Sequence, residues 1–207
     1  MTTWSQFFGR TPAGQESAPL FNAKTMIVLA AMLGFLVAVL TLLGRRAYCE
    51  CGIGLWTSSP WSSNTSQHLT DPYSFSHVLH GLLFYWGLTL FSKKLTLRQR
   101  LVAAVALEIG WEILENTPMI IERYRSETAS LDYVGDSVLN SVGDVASTIL
   151  GFWFASRLPW KASAAMFVTL ELIMLFTIRD NLTLNVLMLL YPVQAVREWQ
   201  MEASLTT

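Results

Sequence analysis

The sequence predicts an all-α fold, an integral membrane helical bundle of five or six transmembrane helices. Of its 207 residues, 52% are hydrophobic and 14% are charged, whereas soluble domains carry about 25% charge. Apolar runs recur at about the 20-residue length that a helix needs to cross a bilayer. Eight tryptophans and six tyrosines supply side chains for two membrane–water interfaces. A net charge of −1 gives no reason to expect nucleic acid binding.

The predicted helices lie in one membrane domain, residues 25–196, between an N-terminal tail of residues 1–24 and a C-terminal tail of residues 197–207. The first apolar run, residues 25–44, contains no charge. Pro118 disfavours continuation of the third helix. The last run is short, so it either spans with a tilt or lies in the interface. The six predicted helices are 25–44, 75–92, 101–117, 137–156, 163–178 and 182–196.

Basic residues predict the orientation, because cytoplasmic loops of membrane proteins are enriched in lysine and arginine. The short loop between the second and third helices contains Lys93, Lys94, Arg98 and Arg100. Placing this loop and the N-terminus in the cytoplasm puts nine basic residues inside and five outside. The long polar loop of residues 45–74 then faces outward. It contains Cys49 and Cys51, whose redox state the sequence leaves open.

Three apolar segments carry ionisable residues near the end that this plan places outside. Charged groups at membrane depth are costly and normally face a bundle interior, pair with each other or serve a site. Residues three and four apart share one face of a helix, so each group forms a stripe on its own helix. The stripes are His77 and His80, then Glu108, Glu112 and Glu115, then Asp136, Asn140 and Asp144. We expect them to meet in one polar pocket.

Imidazole and carboxylate groups from three helices are suitable ligands for a divalent metal such as zinc. We predict His77, His80 and Asp136 as ligands. Glu112 and Glu115 are the predicted catalytic acids and bases, with Glu112 preferred as the base. A metal would lower the pKa of a bound water and polarise an ester or phosphoryl oxygen. The residues expected to orient these groups are Glu108, Asn116, Asn140 and Asp144.

This metal site makes a metal-dependent hydrolase acting on a lipid or lipid-linked substrate the working hypothesis, with membrane lipids as partners. Two alternatives remain open. The carboxylates could serve a small proton- or ion-coupled transporter, since intramembrane acids form relays. They could also form a purely structural network in an assembly protein. The apolar residues Ile149–Trp153, below the third stripe, favour a one-sided pocket over a conduit.

Three segments together resemble a known group of proteins: His77-Val-Leu-His80-Gly81, Glu108-Ile-Gly-Trp-Glu112-Ile-Leu-Glu115-Asn116, and Tyr133-Val-Gly-Asp136-Ser-Val-Leu-Asn140-Ser-Val-Gly-Asp144. The resemblance, from about Lys24 to Trp199, is to an uncharacterised family of bacterial multi-pass inner-membrane proteins, a domain-of-unknown-function group found mainly in alphaproteobacteria. It implies the cell inner membrane as the location. It implies no catalytic residue, because that family has no established activity.

Overall fold

The structure, a computed structural model, describes residues 19–58, 60, 62 and 64–204, so residues 1–18 of the predicted tail lie outside it. The described residues form eight helices and no strand. A single bridge joins Trp56 and Thr70. This confirms the all-α prediction. The helices are α1 (Ala23–Leu42), α2 (Ser74–Thr89), α3 (Leu97–Glu115), α4 (Pro118–Glu127), α5 (Val138–Arg157), α6 (Trp160–Ile178), α7 (Leu182–Leu190) and α8 (Gln194–Ser204).

Polar residues at the helix starts explain where several helices begin. The side chain of Asn22 accepts a hydrogen bond from the backbone N–H of Thr25 at the start of α1. Thr96 and Gln99 bond reciprocally as a capping box at the start of α3. Such caps satisfy backbone N–H groups that have no partner within the first turn. Ser137 caps α5 in the same way, with its Oγ 3.1 Å from the N–H of Asn140.

The most extensive helix pair is α2 against α5, which pack through glycines. A Cβ on Gly81 of α2 would overlap the backbone carbonyl of Thr148, and one on Gly151 of α5 would overlap that of Val78. Small residues let two helix backbones approach closely, as is common in membrane bundles. The residues that follow these glycines, Leu82 of α2 and Phe152 of α5, are fully buried apolar side chains.

The remaining long helices surround this pair. α1 packs on α3 and α5 through Leu29, Leu36 and Leu40, which belong to one apolar cluster with Leu101 and Val105 of α3. α6 packs on α2. A second apolar cluster joins α2, α5, α6 and the first residue of α7. The polar stripe of α3 is therefore enclosed on several sides by helices.

Three of the described helices, α1, α5 and α6, are long and apolar enough to cross a membrane by length and composition. These apolar helices indicate a membrane protein. The structure does not establish the predicted five or six spans. α2 has 16 residues, which corresponds to about 24 Å. α3 has 19 residues but carries three glutamates and two arginines, so α2 is too short and α3 too charged to be identified as a span by length and composition alone.

The structure corrects the expectations for two segments near the C-terminus, residues 182–196 and residues 197–207. Residues 182–196, predicted as one helix, form α7 and the start of α8, with a break at Tyr191–Val193 that contains Pro192. Helix α8 also occupies much of the predicted C-terminal tail. Pro118 ends α3 but begins α4, because proline fits the first turn of a helix, where its missing N–H costs nothing. With nine residues, α7 is too short to span.

Candidate functional site

The predicted polar stripes meet where α2 and α5 begin and α3 ends. This end of the helical bundle is the site end. His77 of α2 is buried, and its Nδ1 lies 2.5 Å from Oε1 of Glu108. His80, one turn further along α2, places its Nδ1 3.0 Å from Oε2 of the same carboxylate. Glu108 therefore accepts from both rings and orients them. In His77 this leaves Nε2 as the nitrogen free for other chemistry.

Two further carboxylates face His77 from other helices. Oδ2 of Asp144, on α5, lies 3.8 Å from His77 Nε2. Oε1 of Glu112, on α3, lies 3.5 Å from His77 Nδ1, which is already engaged by Glu108. Ser74 donates its hydroxyl to Oδ1 of Asp144 at 2.9 Å. The His77 cluster is defined as His77, His80, Glu108, Glu112 and Asp144.

Glu112 is the exceptional member of this cluster. It is fully buried, and neither of its side-chain oxygens has a hydrogen-bond partner among the described residues. Burying a carboxylate without a partner is costly, and such groups normally pair or coordinate a metal. One ligand atom each from His77, Glu112 and Asp144 all lie within 4.8 Å of one another. The donor set and the unpartnered carboxylate therefore fit a divalent cation.

His77, His80 and Glu108 form a second group of three potential ligands. These three side chains already bond each other, because the Nδ1 atoms of both histidines face the oxygens of Glu108. This arrangement corresponds to the partners that hold a metal-ligating histidine in one tautomer and orientation. Glu108 is thus placed to orient the rings, which is the position expected from the sequence. Its role stays a prediction.

Asp136, predicted as a ligand, lies apart from the histidines in a different set of contacts. Asn116 donates its Nδ2 to Asp136 Oδ2 at 2.7 Å and accepts the Asp136 backbone N–H at 2.8 Å. Tyr133 donates its hydroxyl to Oδ1 at 2.9 Å. Burial raises the pKa of Asp136, and the bonds from Asn116 and Tyr133 oppose that rise. The Asp136 cluster is Asp136, Asn116 and Tyr133.

Other predicted residues occupy supporting positions. Asn140, expected to orient the ligands, instead donates its Nδ2 to the backbone oxygen of His68 at 2.9 Å and thus holds the loop of residues 43–73. Glu115, expected as a catalytic group, lines a cavity at the site end. Asp144, expected only as an orienting group, belongs to the group of potential ligands with His77 and Glu112.

Sequence reasoning missed Asp71 and Ser74. The Asp71 carboxylate accepts the backbone N–H groups of Ser66 and Tyr73, at 2.8 and 2.7 Å. Ser74 Oγ accepts the Asp71 N–H at 3.1 Å while bonding Asp144. Burial raises the pKa of Asp71, and its backbone hydrogen bonds lower it. A readable signal existed, since an aspartate just before an apolar run is typical of a helix start.

The loop of residues 43–73 is fixed over the start of α5. Ser137 donates its hydroxyl to the backbone oxygen of Gln67 at 3.0 Å. The carbonyl of Leu69 packs on Gly143, where a Cβ would overlap it. In the same loop Cys49 and Cys51 form a disulfide, and His68 Nε2 lies 3.6 Å from Cys51 Sγ. Gly143 of α5 is therefore required for contact with this loop.

A cavity of about 400 Å³ opens at the site end. His77, His80 and Asp144 line one part of it, together with Glu115 and Asp136. Apolar side chains line another part, and hydroxyl-bearing residues line the remainder. The apolar lining comes from Phe84, Leu107, Trp111, Leu114, Leu182 and Val186, and the hydroxyls from Ser62, Thr65, Ser66, Tyr73, Ser76, Tyr124, Ser130 and Tyr133.

Comparisons with known proteins identify the family. The family described as "Protein of unknown function (DUF2585)" matches residues 40–202. A UPF0314 protein of Brucella anthropi is 47% identical over 189 residues, 91% of this chain and 95% of that protein. One from Paracoccus denitrificans is 49% identical over 90% of this chain and 94% of its own length. A third, from Rhizobium meliloti, is 51% identical over 86% and 92%.

No solved structure matches this chain significantly. The family match covers most of the chain, and the relatives align over nearly their whole length. Their source organisms agree with the distribution that the resemblance implied. The chain belongs to this uncharacterised, mainly alphaproteobacterial family.

Proposed function

We propose that this protein is a membrane-embedded, metal-dependent hydrolase that acts on a lipid or lipid-linked substrate. The observation that carries this proposal is the fully buried Glu112, which faces His77 and Asp144 but has no hydrogen-bond partner among the described residues. Three helices contribute one potential ligand each. Their convergence beside a cavity of about 400 Å³ supports a site that a substrate can reach.

The proposed ligands are His77, Glu112 and Asp144. In this set Glu112 and Asp144 take the places of His80 and Asp136, which the sequence predicted as ligands. Glu108 holds the Nδ1 of His77, so that Nε2 is presented as the ligand. A bound divalent metal would lower the pKa of a water and polarise a substrate oxygen. Glu115, which lines the cavity, is the proposed general base, since Glu112 is now assigned to the metal.

The substrate class is supported by the mixed lining of the cavity. Carboxylates, imidazoles and hydroxyls suit a polar headgroup, whereas the leucines and the valine suit hydrocarbon. Sites for amphipathic ligands combine apolar walls with a few placed polar groups. A membrane lipid has both chemistries and is already present around the bundle.

The proposed topology is five spans, α1, α2, α3, α5 and α6, with the N-terminus in the cytoplasm of a bacterial inner membrane. Arg179, which follows α6, bonds the backbone oxygen of Trp199 on α8 at 2.7 Å. Arg197 likewise bonds the backbone oxygen of Thr128, between α4 and α5, at 3.2 Å. These contacts support a C-terminus at the site end. Eight basic residues then remain on the N-terminal side and six on the other, so the charge bias is weaker but keeps its sign.

A transporter requires a path to the opposite side of the membrane. Such a path is not favoured by the packing between α2 and α5. Gly81 closely approaches the backbone of Thr148, Gly151 closely approaches that of Val78, and Phe152 is fully buried. We therefore favour the hydrolase over the transporter.

The test is metal content. Purified wild-type protein, washed with chelator and then supplied with zinc or manganese, should bind about one ion per chain by elemental analysis. At free metal one hundred times the Kd, binding should stabilise the fold by about 2.7 kcal/mol. His77→Ala and Glu112→Gln should lose both effects. Glu171→Gln changes a buried carboxylate of α6 that belongs to neither group of potential ligands, and it should retain both effects.

Activity is read separately, by comparing membrane lipids from cells that express wild-type or His77→Ala protein. A lipid species that accumulates only with the inactive variant would identify the substrate. Absence of bound metal in wild-type protein, together with equal lipid profiles, would refute the hydrolase and leave the structural network.

A further inference from the structure

Helix α3 lines the cavity with one acid and an adjacent apolar stripe. The acid is the partly buried Glu115, whereas Glu112 is fully buried and does not line the cavity. Leu107, Gly110 and Leu114 lie beside them at positions three and four apart and also line the cavity. Leu107 is 51% exposed and Leu114 is 40% exposed. Because these exposed residues of α3 and the buried residues His77 and Asp144 line the same space, the cavity leads from the polar cluster to the outer surface of the bundle.

Helix α7 forms the opposite side of this opening. Leu182 and Val186 line the cavity, and Val186 is 43% exposed. The start of α7 is held by Glu171 of α6, whose carboxylate accepts the backbone N–H of Leu182 at 2.9 Å. α7 packs on α4 but has no substantial packing against α3. The space between α3 and α7 is therefore a gap with apolar sides.

We infer that this gap binds one hydrocarbon chain of a membrane lipid whose headgroup lies at the His77 cluster, an inference that rests on the proposed function. The mouth is flanked by Leu107, Leu114 and Val186, all of them exposed apolar side chains. Such a surface, facing outward from a membrane bundle, contacts lipid tails directly. A lipid can enter sideways between the two helices without leaving the bilayer.

Gly110 leaves room for the hydrocarbon chain of the lipid. A Cβ at this position would have no atom within 4 Å, so nothing in the described structure fills the space in front of it. A large side chain placed here enters the cavity without displacing protein. Gly87 of α2 is a matched control, because it is also a helical glycine with open space around it but does not line the cavity.

The experiment uses the full chain in vesicles of phosphatidylethanolamine and phosphatidylglycerol, with a small fraction of phosphatidylcholine that carries a diazirine on one acyl chain. After irradiation, labelled peptides are identified by mass spectrometry. Labelling should concentrate on Leu107–Leu114 and Leu182–Val186, above the level at the exposed α1 residues Ile27 and Phe35. Gly110→Phe should reduce the excess to that level, and Gly87→Phe should leave it unchanged.

Val186→Trp narrows the gap from α7 and serves if Gly110→Phe does not fold. Equal labelling of all exposed helices would overturn the inference, as would an excess that survives both bulky substitutions. Adducts between two protein chains at Leu107–Leu114, instead of lipid adducts, would show a second copy as the occupant and also overturn it.

The two proposals fail separately. His77→Ala should lose the metal, whereas Gly110→Phe should lose the excess labelling but keep the metal, because it changes none of the proposed ligands. A wild-type protein that binds metal but shows no excess labelling would refute the lipid gap alone. Excess labelling in a protein that binds no metal would refute the hydrolase and leave a lipid-binding site.

Discussion

The His77 cluster and the Asp136 cluster lie at the same end of the bundle and both contain buried carboxylates, but their hydrogen bonding differs. Both oxygens of Asp136 accept a hydrogen bond, from Asn116 and Tyr133, and its backbone N–H is also bonded. In the His77 cluster, Glu112 accepts no hydrogen bond from any residue that the structure describes, and Asp144 Oδ2 lies 3.8 Å from His77 Nε2. A saturated cluster stabilises the fold, whereas an unsaturated one retains capacity for a ligand.

The largest expected effect comes from two glutamates one turn apart on α3. In metal-free protein, Glu108→Leu should reduce the free energy of unfolding by about 3–5 kcal/mol, because the buried His77 and the partly buried His80 lose their partner. Glu112→Leu should instead raise it by about 1–3 kcal/mol, because it removes an unpartnered carboxylate. Reversible unfolding in mixed micelles measures both. A loss of stability in both variants would contradict the assignment of Glu112 as an unsatisfied group.

The Asp136 cluster should be important for stability and unimportant for metal binding. Asn116→Ala removes three hydrogen bonds and should lower the free energy of unfolding by about 2–4 kcal/mol, since the Asp136 N–H and one carboxylate oxygen remain buried without partners. The folded fraction should still bind one metal per chain. Glu122→Ala, which changes an exposed acid on α4, should stay within about 0.5 kcal/mol of wild type.

The smallest effect is expected at Ser74, which links Asp71 to Asp144. Ser74→Ala should cost about 1 kcal/mol of stability, because it removes a hydrogen bond to each neighbour. It should also weaken metal affinity by about 10-fold, since Asp144 loses the bond that orients it. Metal titration separates the two effects, and Ser74→Thr, which keeps the hydroxyl, should restore affinity. Unchanged affinity in Ser74→Ala would remove the positioning role.

Much of the site could be predicted because helical geometry is local. The spacing of Glu108 and Glu112 places them on one face, and the cost of exposing them to lipid directs that face inward. His77 and Asp144 follow from the same argument on their own helices. Each stripe was predictable from its own segment, and convergence followed from the membrane plan.

The pairing between stripes was not predictable, because it depends on contacts between distant segments. Asp136 bonds Asn116 only because α4 and the following segment return the chain to the end of α3. The break at Tyr191–Val193 was also missed, since an apolar run of that length looks like a helix of marginal span. Its interruption follows from Pro192 and from contacts of α8 with Arg179.

The sequence alone determined the helical class, the membrane character and the three acidic and imidazole stripes, because these follow from composition and from a period of 3.6 residues. Only the tertiary structure decided which carboxylate is bonded and which is left without a partner. That distinction depends on ångström-scale distances between helices, set by the close packing of glycines such as Gly81 and Gly151 and by the loop contacts at Gly143.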